Sequence, residues 1–168
     1  MKKICLCLAV LLSAALTVMA QNEPYKMISL EEVVKHGGHC DFNTETCEAR
    51  FDGNSDRWFD VPGFQGDFSE HSNIEMEVLE SNVILKFVIR YKNEEGKTKE
   101  VNCATLYGQM GKGISKKKTL KLDLSKDGEF TEQLKSMVAL RVAMGKPANN
   151  AEEGDAWYCK FGTRVIVK

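Results

Sequence analysis

IEMEVLESNVILKFVIRY, residues 74–91, decides the fold. Ile74, Met76 and Val78 alternate with Glu75 and Glu77, so one face of an extended chain is apolar and the other charged. Val83, Leu85, Phe87, Ile89 and Tyr91 repeat the two-residue period over a longer run. Such alternation marks half-buried β-strands. Glu-Ser-Asn between the two runs reads as a tight turn, which predicts that they pair as a hairpin.

The same period recurs on the C-terminal side. NEEGK (93–97) is a second turn and leads into VNCATLY. TLKLDL (119–124) points Leu120, Leu122 and Leu124 one way, and VALRVAM (138–144) does so with Val138, Leu140, Val142 and Met144. AWYCKF (156–161) is expected to turn Trp157, Cys159 and Phe161 inward and leave Tyr158 outside, because neighbouring strand residues face opposite ways. TRVIVK closes the chain. Between strands, Phe130, Leu134 and Met137 share a face suited to one helical turn. Before them, ISLEEVVKHGG opens with a capping box, Ser29 and Glu32, and stops at Gly37 or Gly38. From Cys40 to about Gly66, Asp, Asn and Gly dominate, which predicts turns. The expectation is all-β: an antiparallel two-sheet β-sandwich with one or two short helices.

The amino terminus, MKKICLCLAVLLSAALTVMA, has the parts of a secretory signal. Lys2 and Lys3 precede an uncharged apolar stretch, and Val18 and Ala20 stand at −3 and −1 of a cleavage before Gln21. The apolar run is too short to span a bilayer, which takes about 20 residues. This divides the chain into a signal peptide, 1–20, and one domain, 21–168, with no repeat or linker. The expected location is periplasmic or extracellular.

The leader holds two of the 23 Lys and Arg and none of the 24 Asp and Glu, so the domain is net −3 with His neutral. That balance argues against a nucleic-acid partner, which needs a basic face. SKKKTLK (115–121) reads as the lysine-protected edge of a sheet. No second run is long enough to cross a membrane, and nothing fixes an oligomeric state.

Four cysteines remain after the leader: Cys40, Cys47, Cys103 and Cys159. An even count in an exported chain predicts two disulfides, with three connectivities open. Cys40 with Cys47 around a polar loop, and Cys103 with Cys159 between strands, is the favoured pairing.

Three clusters invite a ligand. NSDRWFD places Arg57, Trp58 and Phe59 among Asp56, Asp60 and other polar groups. An aromatic ring can stack on the apolar face of a sugar while charged neighbours read its hydroxyls. Arg57, Asp56, Asp60 and Trp58, with Tyr158, are the candidate ligand residues, although a buried core position is the commoner fate of a Trp such as Trp58 in a sandwich. DGNSD (52–56) has oxygens at alternate positions, as a calcium loop does, but Arg57 stands where an EF-hand needs Gly. A looser structural calcium is the residual cofactor expectation. HGGHC offers His36, His39 and Cys40, with Cys47, to zinc, although the cysteines are expected to oxidise instead. No nucleophile elbow or spare thiol is present, so no catalytic residue is named.

Asp67 to Val78, Leu122 to Ser125 and Val138 to Val142 resemble strands of galactose-binding-like jelly-roll domains. These accompany secreted glycan-degrading enzymes of Bacteroidota-type bacteria, and the resemblance covers residues 51–168. It implies a jelly roll and a non-catalytic carbohydrate-binding role. A structural or adhesion subunit of the envelope and a small glycan-active enzyme are the alternatives.

Overall fold

The computed structural model describes residues 26–33, 35–106, 113–124, 130–149 and 156–168. The proposed leader and cleavage point, and Tyr107, lie outside them. The described residues form ten strands: β1 (Lys26–Ser29), β2 (Cys40–Asn43), β3 (Glu48–Phe51), β4 (Trp58–Val61), β5 (Asn73–Ser81), β6 (Val83–Lys92), β7 (Thr98–Leu106), β8 (Lys118–Asp123), β9 (Met137–Pro147) and β10 (Trp157–Val167). One sheet has the order β2-β3-β10-β5-β8, with β1 also on β10, and the other β4-β9-β6-β7. All pairings are antiparallel. From β3 onward the chain crosses between the sheets at every connection except the β6–β7 hairpin, and the result is the expected antiparallel two-sheet sandwich.

The 74–91 stretch forms two strands, but they are not a hairpin. β5 belongs to the six-stranded sheet and β6 to the four-stranded one. Ser81 and Asn82 turn the corner between them. The buried Ser81 hydroxyl donates to Val83 O at 2.9 Å and accepts from Val83 N at 3.2 Å, so it satisfies backbone that leaves one ladder for another. NEEGK does make the expected hairpin, β6 to β7, with Gly96 at φ +72° where a side chain would be strained.

Phe59, Phe87, Phe161, Ile74, Met76, Leu85, Ile89, Leu140 and Val142 fill the space between the sheets. Phe59 tilts against Phe42 at 4.6 Å and meets Phe161 edge-on at 5.4 Å, tying both sheets together. Val83 and Leu122 are buried as expected, and Leu120 is half-buried against the core. Val138 is not core. The β6–β9 register slips between Arg90 and Tyr91, so Met137 takes the inward place and Val138 turns toward a surface cleft.

Other expectations change locally. The Ser29 segment makes one 3-10 turn, Leu30–Glu32, and Ser29 Oγ accepts from Glu31 N rather than Glu32 N. The helical turn near 130 is present as α1 (Thr131–Leu134), with Phe130, Leu134 and Met137 buried. The stretch read as turns, 40–66, contains three strands of four residues each. β8 is an edge strand, as the lysine run predicted.

The favoured disulfides do not form; all four cysteines are free thiols. In the β2–β3 ladder Cys40 faces Phe51, whereas Cys47 precedes Glu48, which faces Asn43. Three strand steps, about 10 Å, exceed the ~7 Å Cα reach of a bridge. Cys103 lies on edge strand β7 and donates to Phe87 O at 3.2 Å, while Cys159 sits in central β10 of the opposite sheet. Burial pushes the thiols of Cys40 and Cys103 up to about 12 and raises that of Cys159 as well. Such thiols are inert.

Candidate functional site

β4 pairs with β9, with Phe59 opposite Val142 and facing the core. Strand alternation therefore puts Trp58 and Asp60 on the outer face of the four-stranded sheet. Opposite Asp60 is Arg141, and Arg90 lies opposite Ala139 on the next strand, β6, with Glu100 opposite it on β7. Four strands thus deliver four charged groups to one patch.

They form a closed ring of ion pairs. Arg141 grips Asp60 with Nε on Oδ1 at 2.8 Å and Nη2 on Oδ2 at 3.3 Å, and its Nη1 donates to Glu100 at 3.0 Å. Arg90 donates to Asp60 at 3.2 Å and to Glu100 at 2.9 Å. Each arginine holds both carboxylates. Asp60 is 7 % exposed, and the side chains of Arg141 and Arg90 are 11 % and 17 % exposed. Around Asp60, largely removed from water, the forked, charge-assisted bonds are stronger and stiffer than the same pairs in solvent, while Glu100, 47 % exposed, closes the ring from the solvent side. Val88 and Ala139 face outward yet are buried. Arginine stems lying along the sheet account for that.

Trp58 completes the patch. The Arg141 guanidinium carbon lies 3.4 Å from the centre of the indole, a cation–π stack. Because Arg141 is almost fully covered and Trp58 is half-buried, the indole lies over the guanidinium and turns its other ring face away from the sheet. Gly37 fixes the ring's edge. A Cβ there would lie 2.9 Å from Trp58 Nε1 and would run into the Asp56 carbonyl. Gly37 N also donates to Trp58 O, and Asp60 N to Lys35 O, which covers the free edge of β4.

The five candidate ligand residues do not converge. Trp58 and Asp60 share the patch, and Asp60 is committed to the two arginines. Arg57 turns to the sandwich edge, with its guanidinium 5.5 Å from the Trp157 ring and a donor toward Gly53 O. Asp56, at φ +49°, contributes its carbonyl to His39 N. Tyr158 is on the outer face of the other sheet, where its hydroxyl donates to Glu80 Oε1. That bond, first, and burial push Tyr158 up to about 12. Trp157 does pack on the core, as the alternation required.

The calcium and zinc candidates are also placed. Asp52 Oδ1 is 2.7 Å from His39 Nδ1, which ties the DGNSD loop to the HGGH segment. Cys47 is at the far end of the hairpin from Cys40. Among the described residues no three His, Cys, Asp or Glu side chains are placed to hold a metal ion. Among them, too, no helix is long and apolar enough to cross a membrane.

Arg90, Glu100 and Arg141 were missed in the sequence. They lie 30 to 81 residues from Asp60, and only their polar character at outward positions of apolar strands marked them. No protein-family model and no curated protein matches this chain.

Proposed function

We propose that the chain is an exported, non-catalytic carbohydrate-binding module that works through the outer face of its four-stranded sheet. The observation that carries this reading is the Trp58 platform. One indole face is seated on Arg141, and the ring is wedged at its edge by Gly37, so the free face is held ready with little conformational freedom left to lose. A flat, rigid aromatic surface bordered by fixed donors suits a pyranose, which offers C–H groups on one face and hydroxyls around its rim. The secretory character of residues 1–20 and the jelly-roll likeness of 51–168 support the same reading. The ion ring favours binding over catalysis, because both carboxylates are held by arginines and neither is left as a proton donor.

A single platform buries little area, so affinity should be modest, with Kd in the millimolar to micromolar range, or about −4 to −8 kcal/mol. Trp58→Ala should abolish signal on a broad glycan array while calorimetry shows that the variant still melts cooperatively. An array on which the wild type binds nothing, or on which Trp58→Ala binds as well as wild type, would overturn the reading. In the first case a structural or adhesion role takes its place.

A further inference from the structure

We infer that the ligand is a chain of several uncharged sugar units, engaged along its length, rather than a single terminal sugar or an acidic one. This deepens the carbohydrate reading and rests on it.

The outer face of the four-stranded sheet carries a second feature beyond the ion ring. A cleft of about 260 Å³ opens past the Asp60 end of β4, walled by Val61, Pro62, Gln65, Arg90 and Val138. Trp58 is not part of its lining; it stands at the other end of the same strand. Asp60, two strand steps from Trp58, is the nearest lining residue on that strand, so the cleft begins about 7 Å from the platform. One sugar ring stacked on the indole cannot also fill the cleft, whereas a short chain laid along β4 can do both. The cleft is also below the roughly 300–1,000 Å³ of pockets that swallow a whole drug-sized ligand. It has room for one ring of a longer molecule. The two contacts would act as linked weak sites, and linkage raises affinity without any new contact.

The charge of the lining gives an acidic ligand no advantage. Asp60 faces Arg90 across the cleft floor, already paired at 3.2 Å, and Glu32 and Lys35 both stand at the rim. The lining therefore carries no net charge, and nothing in it selects a carboxylate or sulfate over a hydroxyl.

The bulge that misplaced Val138 makes the cleft. Had β9 kept its alternation, Val138 would face the core, and the cleft would lose that wall.

Titration calorimetry with neutral gluco-, manno-, xylo- and galacto-oligosaccharide ladders of one to six units tests this, alongside a uronic-acid ladder. The expected result is affinity that rises at least tenfold from one unit to four on one neutral ladder and then levels off. Val138→Phe, which narrows the cleft, should lower tetramer affinity severalfold. Arg164→Ala, on the opposite sheet, should leave it unchanged. A monosaccharide binding as tightly as the hexamer through Trp58 would overturn the chain-length inference while the carbohydrate reading stands. So would tighter binding to the uronic-acid ladder. No binding to any ladder, with the array also blank, overturns both.

Discussion

The outer faces of the two sheets carry the same chemistry, cation against carboxylate, in two physical states. On the four-stranded sheet Arg90, Arg141, Asp60 and Glu100 close a ring capped by an indole, in which all but the 47 % exposed Glu100 are largely out of water. On the six-stranded sheet Lys121 and Lys168 flank Glu75, and Lys117 meets Glu77, but Lys121 and Lys117 remain 67 % and 59 % exposed. Planar guanidinium forks grip carboxylates with two-point geometry and stack flat on aromatics; ammonium groups on flexible stems act as mobile point charges. The first face is a stiff ion network beneath an aromatic ring, and the second is a solvated surface beside a lysine-rich edge strand. Salt-bridge geometry alone does not separate them. Desolvation does.

The contrast breaks most decisively at Asp60. Asp60→Ala leaves two nearly buried guanidinium groups short of a partner and should cost about 3–5 kcal/mol, as losing one member of a buried pair does. Denaturant unfolding measures it, and a loss under 1 kcal/mol would mean that the ring is no stiffer than the opposite face.

A pH effect of intermediate size belongs to Tyr158. Its hydroxyl is raised to about 12 by its bond to Glu80, against an ordinary value near 10. Between those values the folded chain keeps a proton that the unfolded chain has released. Stability from this group is therefore intact below pH 10 and falls as pH rises from 10 toward 12. Glu80→Gln should bring the Tyr158 titration, read by ultraviolet absorbance, back down toward 10. An unchanged titration would sink the assignment of Glu80 as its cause.

The smallest effect is expected at Lys117. Lys117→Ala removes an exposed pair with Glu77 and should change stability by no more than about 1 kcal/mol, less still at high salt. A larger, salt-independent cost would erase the contrast between the faces.

Legibility followed the length over which a pattern could repeat. β5, β6, β8 and β10 could be read directly because their alternation persists for several residues. β2, β3 and β4 have four residues each, too few for a period to rise above the surrounding Asp, Asn and Gly, so their region read as turns. Val138 failed for a different reason: one bulge residue reverses which face every neighbour takes. The disulfide expectation failed because an even count says nothing of register. Cys40 and Cys47 are close in sequence, but at opposite ends of one hairpin.

The amino-acid sequence by itself determined the class of this protein: strands with one apolar face must bury it, and here only a second sheet can cover it. It also marked Trp58 as a residue with two possible fates. Which fate is realised was a tertiary decision. The corner at Ser81 and Asn82 sends β6 to the opposite sheet from β5, and this brings Arg90, Arg141 and Glu100 beside Asp60 from far along the chain. Side-chain alternation along one strand is a local property of the backbone. The neighbour across the ladder depends on how the whole chain closes.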